Sequence, residues 1–389
     1  GQTWAKPDAG KIILNNEIHE VILFSGGYDP DQDDVNRERV ADNIGNALYI
    51  VNADTGARLW WASSKREASL TLSKMTNSIA ADASPIDVDD DGIWDRVYLV
   101  DTGGRMIGID FYTDVDNEHK INGYILADLN GGTANSNRRF FTSPEVGYYA
   151  SGNERFYALL AGSGNRPDPM NHKVQNRFYM IKDYNPWSPQ RIKEEYTPPQ
   201  PIVEDASRCE DADSPCNILY DSTSNLIQSG TTEEQQSAQY FLSNTSGWYI
   251  NLGPKEMTTS RALLYNHNLY FTTFSGSITP APGVCDPSDL TFTSRFYALN
   301  LRTAGAVRSN FDDNASEIST TDRSLKLTVS SLPPAPSIIF ASETTQTATD
   351  GTVVTTPINK LFIGAGLERP VSAAYRPIPL WWEEAINVD

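Results

Sequence analysis

The chain has 389 residues, 39% of them hydrophobic, with 31 basic against 50 acidic side chains and a net charge of −19. That apolar content supports a folded core over disorder, and the length suits one large all-β domain. The acidic surface repels phosphate backbones and anionic lipid, so nucleic acid is excluded as a partner, and no run of 18 apolar residues exists to span a membrane.

The chain opens on GQTWAKP, with no apolar leader, and reads as a segment cut from something longer. Strand signals then dominate: short runs of Val, Ile, Tyr, Phe and Leu bounded by Gly, Asn, Asp and Pro. In chain order the predicted strands are EVILFSGG (20–27), ALYIVNA (47–53), DRVYLVD (95–101), MIGIDF (106–111), RFYALLAGSG (155–164) and RFYMIKD (177–183). GWYINL (247–252), NLYFTTF (268–274), RFYALNL (295–301), PSIIFAS (336–342) and KLFIGAG (360–366) follow. Helical periodicity is nearly absent; residues 63–82 are a weak exception, diluted by Ser, Thr and Asn.

These runs repeat one plan. In NALYIVNADTGARLWW (46–61), DRVYLVDTGGRMIGIDF (95–111) and SRFYALNLRTAGAV (294–307), a strand with a central aromatic enters a tight turn and a second strand leaves. Asp-Thr-Gly and Thr-Gly-Gly supply the positive-φ positions that such turns need. Imperfect repetition of a hairpin over hundreds of residues predicts a radial β-array. The expected fold is an all-β, modified seven-bladed β-propeller with long loop insertions, a single domain over 1–389. A β-sandwich or two small β domains is the alternative. The insertions are placed at 113–137, 184–246, 275–293, 307–335 and 343–359, with 184–246 an insertion within a blade. The Trp pairs at 60–61 and 381–382 are assigned to blade packing over sugar platforms.

The segment SPIDVDDDGIWDRVYLV (84–100) carries the strongest chemical signal. From Asp87 it reads D-x-D-x-D-G-x-x-D. Oxygens of Asp87, Asp89 and Asp91 fold toward one centre if the chain curls tightly, and Gly92 permits the turn. Ile93 then offers a backbone carbonyl, and Asp95 closes the shell in place of the distant Glu of an EF-hand, because Tyr98 at position 12 lies in a strand. A hard cation of calcium size takes about 6–8 oxygens at roughly 2.3–2.6 Å, and this donor set suits it. Magnesium demands stricter octahedral geometry, and zinc lacks a nearby His or Cys. The competing account is an acidic turn without an ion, in which carboxylates about 4 Å apart repel by on the order of 1–4 kcal/mol per pair. Asp29, Asp31 and Asp33 repeat the odd spacing without the glycine and form a weaker second candidate.

Cys209 and Cys216 are spaced to close a small loop disulfide in an oxidising compartment, or are two unrelated thiols; Cys285 is left over. Four histidines, His19, His119, His172 and His267, form no metal spacing. No G-x-S-x-G elbow or P-loop occurs, and the GSG at 162–164 and GAG at 364–366 read as strand-end turns. A glycosidase-like carboxylate pair is not singled out by any spacing.

GQTWAKP, FSGGYDPDQDD (24–34), GNALYIVNADTGARLWW (45–61), DVDDDGIWDRVYLVDTGGRMIGIDF (87–111), GSGNRPDPMN (162–171), RFYMIKD, GWYINL and LYFTTF, in that order, resemble the C-terminal domain of the PilY1/PilC family, the tip-associated adhesins of type IV pili. The resemblance implies a modified β-propeller that is not an enzyme. It implies calcium held by Asp87, Asp89, Asp91, the Ile93 carbonyl and Asp95. It further implies surface adhesion and control of pilus extension and retraction. The partners it implies are minor pilins at the pilus tip and a host-cell or abiotic surface. The location is extracellular or outer-membrane-associated, reached by export through a Gram-negative periplasm. The chain has no Arg-Gly-Asp tripeptide, so an integrin-type contact is not implied. Two other readings remain open. NADTGARLWW fits the turns of quinoprotein dehydrogenase propellers, although no polar and basic funnel for a quinone is identifiable. Integrin-type propellers use the same aspartate loop but repeat it, where this chain has one full copy.

Overall fold

The computed structural model describes residues 1–373 apart from 34–37, 114–117, 171–172, 185–199, 205, 209–216, 279–289, 308–319, 329–330, 341–343, 348–352, 357–358 and 364–370. The three cysteines, His172, Trp381, Trp382 and the 364–366 turn lie outside the described residues.

The first sheet runs in chain order through β1 (Asp8–Leu14), β2 (Glu17–Ser25), β3 (Ala47–Asn52), β4 (Arg58–Ser63) and β5 (Leu70–Thr71). The second is β6 (Ser84–Ile86), β7 (Arg96–Val100), β8 (Arg105–Thr113) and β9 (His119–Asp128). The third contains β10 (Glu145–Ser151), β11 (Glu154–Gly162), β12 (Arg177–Asp183), β13 (Tyr220–Asp221) and β14 (Gly247–Asn251), in the order β10-β11-β12-β14-β13. The fourth is built from β15 (Glu256–Thr258), β16 (Leu263–Tyr265), β17 (Asn268–Ile278), β18 (Leu290–Asn300) and β19 (Ser324–Lys326). A three-stranded remainder pairs β20 (Pro336–Phe340) with β23 (Asn359–Ile363) and β24 (Val371–Ala373), beside the hairpin of β21 (Thr344–Thr347) and β22 (Val353–Thr356).

The strand alternation explains how these sheets stack. Every residue of β7, RVYLV, is buried. Val97 and Leu99 pack with Ile12, Leu23 and Ile50 of the first sheet, while Tyr98 and Val100 pack with Leu159, Tyr179 and Ile181 of the third. In β12 the same period of two sends Phe178 and Met180 to Leu269 and Phe271 of the fourth sheet and Tyr179 and Ile181 back to the second. Tyr270 and Phe296 then meet Ile338 of β20. Each inner sheet thus buries both faces against its predecessor and its successor, which is the blade stacking of a propeller. Four blade-like sheets, the β20 remainder and the β21–β22 hairpin account for the described strands, and the expected count of seven blades is not reached among the described residues.

Two of the repeated turns have the same hydrogen bonding. Asn52 Oδ1 accepts from the amides of Asp54 and Thr55 and from Thr55 Oγ1. Asn300 Oδ1 accepts from the amides of Arg302 and Thr303 and from Thr303 Oγ1. The left-handed position is Gly56 (φ 68°) in one and Ala304 (φ 54°) in the other.

Several local expectations are corrected. Residues 63–82 form no helix; they hold the end of β4, β5 and turns, because Leu70, Leu72 and Met75 pack onto the sheet cores. A helix does occur where none is expected: α1 (Leu226–Ser229) is followed by α2 (Thr232–Asn244). Thr231 and Glu234 cap α2 reciprocally, and only Ala238 and Leu242 are buried along it. That apolar stripe is too narrow to stand out in a periodicity search, although the Thr-x-x-Glu capping box is legible. Strands β1, β9 and β10 lie outside the predicted runs, and β9 falls inside the stretch 113–137 read as insertion. The β17–β18 hairpin stays paired out to Ile278 and Leu290, which shortens the insertion expected at 275–293. Residues 184–246 connect β12 to β14, which are neighbours in the third sheet, with Ile181 opposite Gly247.

Candidate metal centre

The aspartate loop is the turn of the β6–β7 hairpin, which pairs Ile86 with Arg96 and Ser84 with Tyr98. Asp95 still belongs to the ladder: its amide donates to Ile86 O at 2.9 Å, and its carbonyl accepts from Phe111 N at 2.7 Å. The last carboxylate of the loop is therefore carried on a fixed backbone. The rest of the loop curls over it. Asp87 Oδ1 accepts from the Asp91 amide at 3.2 Å and Oδ2 from the Gly92 amide at 2.7 Å. Asp95 Oδ2 accepts from the Val88 amide at 2.7 Å. Asp90 (φ 63°) and Gly92 (φ 84°) take the left-handed conformation that reverses the chain, which Asp tolerates and Gly adopts freely.

This curl brings together Asp87, Asp89 and Asp95, each offering one carboxylate oxygen, with all three oxygens within 4.8 Å of one another. Among the described residues this is the one such group of three or more His, Cys, Asp or Glu. Asp91 sits in the same loop, but its Oδ1 accepts from the Ile93 amide at 2.8 Å, a cap internal to the turn. Ile93 is half-buried next to it. Asp90 is exposed, as a solvated position 4 requires. The donor set is all oxygen and fits a hard cation such as calcium. Burial raises the Asp95 carboxyl from 3.8 to about 7, with the charges of Asp89, Asp91 and Asp87 adding to the shift and the Val88 amide opposing it. A divalent ion would remove that penalty by neutralising the charge that burial and repulsion disfavour.

Two anchors hold the loop in the molecule. The Trp94 amide donates to Lys11 O of β1 at 2.9 Å, and a Cβ placed on Gly10 would lie 2.3 Å from Trp94 Cζ2. The indole thus lies directly against a bare stretch of the first sheet. Sequence reasoning missed this contact; the glycine inside DAGKIIL is its one signal, since a strand glycine marks close approach. On the other side, Tyr98 Oη donates to Asp183 Oδ2 of β12 at 2.6 Å, and Tyr124 Oη donates to the same oxygen at 2.9 Å. Arg96 completes the buried cluster, with Nη1 3.6 Å from Asp183 Oδ2 and Nε bonded to Asp110 Oδ1. Burial, reinforced by these carboxylates, pushes both phenols well above their ordinary value and keeps them donors.

The second acidic candidate is built differently. Asp29 is buried and accepts from the amides of Asp31, Asn43 and Ile44. Asp31 accepts from Asn43 Nδ2, and Asp33 from Tyr28 Oη. These carboxylates cap a turn with protein donors. Trp60 packs edge-on against Phe111 at 5.5 Å and Trp61 stacks on Tyr49 at 6.0 Å, the blade packing expected of the pair. His119 meets Thr113 Oγ1 through Nδ1, and His267 packs edge-on against Tyr149.

No family model matches the sequence, and no curated protein does. Among solved structures, the crystal structure of the Pseudomonas aeruginosa PilY1 C-terminal domain aligns with a TM-score of 0.51 at 14% identity, covering 97% of this chain and 73% of that one. The likeness is one of fold: the chain has the all-β, propeller-like fold of the PilY1 C-terminal domain.

Proposed function

We propose that this chain is a calcium-binding, non-enzymatic domain of a type IV pilus-associated adhesin, acting in surface attachment and in the control of pilus extension and retraction. The observation that carries the reading is the convergence of Asp87, Asp89 and Asp95 at the mouth of a blade, within a fold shared with the PilY1 C-terminal domain. Calcium is held by these three carboxylates, with Asp91 and the Ile93 carbonyl completing the loop as the family resemblance implies. The ion braces the β6–β7 turn between its anchors on the first and third sheets and so sets the shape of the surface met by minor pilins. Occupancy stabilises this state by RT ln(1 + [Ca]/Kd), about 2.7 kcal/mol at a hundredfold excess over Kd. The domain acts outside the cell, at the pilus tip. Among the described residues no helix is long and apolar enough to cross a membrane.

Calorimetry with calcium on the native chain and on Asp89→Ala tests the site. Loss of the binding heat with an unchanged far-UV spectrum is expected, and unchanged affinity would reject this loop as the site. A pull-down against purified minor pilins, with and without chelator, tests the role. Retention of a pilin in calcium is expected, and no retention in either arm would reject the pilus partnership.

A further inference from the structure

A cleft of 1180 Å³ opens beside the aspartate loop and draws its walls from four sheets. Asp8 comes from β1, Trp94 from the loop, Tyr148 and Arg155 from the β10–β11 hairpin, and Arg261 from the turn before β16. The volume exceeds the usual range of about 300–1,000 Å³ for a small-molecule site, so it suits a ligand of several units.

Three features define the chemistry. First, Arg155 is exposed and Asp8 half-buried, and neither side chain makes a hydrogen bond or ion pair with a described residue. The cleft thus offers a donor fork and an acceptor without hydrogen-bond partners among the described residues, the acceptor lying in the field of Lys6 and Arg261. A hydroxyl group serves both, because it donates and accepts. Second, Tyr148 is 56% and Tyr184 45% exposed within the lining, while Trp94 is half-buried. Aromatic faces of this kind receive the C–H face of a ring. Third, the strand edges bordering the cleft are interrupted for a peptide backbone. Lys11 O of β1 is taken by the Trp94 amide. Pro85 deprives the three-residue β6 of a donor, and β16 lies against β10, with the Leu264 amide donating to Glu145 Oε1. Strand addition, the general mode of peptide capture at a sheet edge, thus meets interrupted edges here. The lining acids Asp8, Asp87 and Asp183 are mixed with Arg155 and Arg261, so the cleft also lacks the single sign that would select a polyanion or polycation.

We propose that this cleft binds a hydroxyl-rich oligosaccharide, with Tyr148 and Trp94 as stacking faces and Arg155 and Asp8 as hydrogen-bonding partners of ring hydroxyls. This gives the attachment role proposed above its ligand class and rests on that role, but not on the cation.

The test is an array of neutral oligosaccharides built from hexoses and N-acetylhexosamines, probed with the fluorescently labelled chain in calcium and in chelator. The native chain retains a subset of sugars. Tyr148→Ala and Arg155→Ala each weaken that retention about tenfold. Tyr240→Ala, on exposed α2 and outside the cleft, leaves it unchanged. Both cleft variants alter exposed side chains, and an unchanged thermal midpoint confirms that they fold. No sugar retained by the native chain overturns the proposal, as does retention that survives both cleft variants. So does a peptide library captured through Tyr148 and Arg155 in place of sugars. Calcium affinity and pilin retention are read separately, so failure on the array leaves those results standing, and loss of calcium binding alone leaves this one.

Discussion

The backbone amide of Trp94 donates to the carbonyl of Lys11 at 2.9 Å. A residue of the aspartate loop is thereby bonded to the edge strand of the preceding sheet, more than eighty residues earlier in the chain. The loop is a bridge between blades, and its side chains are placed by contacts on both flanks.

That bridge depends on the bareness of Gly10. An alanine there would set its Cβ 2.3–2.7 Å from three atoms of the indole, and the ring must move. Gly10→Ala is expected to destabilise the fold by about 1–3 kcal/mol and to weaken calcium binding, because Trp94 neighbours Asp95. Urea unfolding with and without calcium checks both effects. An unchanged midpoint in both conditions would mean that Trp94 is not clamped.

Gly92 isolates the conformational part of loop formation. Its φ is +84°, and nothing lies within 4 Å of the point where a Cβ would stand, so Gly92→Ala costs only left-handed strain, about 1–2 kcal/mol. If the curled loop is the binding form, that cost is expected as a roughly tenfold loss of calcium affinity. Asp90→Gly, at φ 63° and exposed, should bind calcium as well as the native chain. Titration calorimetry on the pair separates backbone strain from loss of charge.

Asp95 predicts a pH dependence with a definite sign. Its carboxyl is raised from 3.8 to about 7, first by burial and then by Asp89, Asp91 and Asp87. Between those values the metal-free native state holds a proton that the unfolded chain has released. The group's stabilising contribution is thus full below about pH 4 and lost as pH rises through about 7. Calcium requires the ionised form, so its affinity rises over the same window. In chelator, the melting temperature of Asp95→Asn should gain on that of the native chain from about pH 4 to 7. Calcium binding at about pH 6 should release a proton; binding with no proton release there would contradict the raised carboxyl.

Asp183 predicts the largest stability effect. It accepts from Tyr98 and Tyr124 and faces Arg96, all buried. Asp183→Ala leaves a buried guanidinium with half its compensation and two phenols without an acceptor, an expected loss of about 3–5 kcal/mol. Tyr98→Phe, which removes one hydroxyl, should cost about 1 kcal/mol. Chemical denaturation ranks the two, and an equal effect would show that Asp183 acts only through Tyr98.

Much of this was legible in the residues themselves. RVYLV, RFYMI and GWYIN announce strands buried on both faces, because a run without polar alternation has no solvent side. The D-x-D-x-D-G-x-x-D spacing places the turn at Gly92 and the closing carboxylate at Asp95, since chain reversal within nine residues is governed by local dihedral preference. The strand status of Tyr98, read from the same stretch, holds in the structure.

Other features required the folded molecule. Asp87, Asp89 and Asp95 converge while Asp91 caps the Ile93 amide, and spacing alone treats Asp87, Asp89 and Asp91 alike. Their roles are decided by which backbone amides compete for each oxygen once the loop has curled. The seat of Trp94 on Gly10, the tie from Tyr98 to Asp183 and the four-walled cleft all join residues far apart in the chain. Local periodicity determined the hairpins, because its forces act over a few residues. The way the sheets stack determined the site, because its walls and anchors come from different blades.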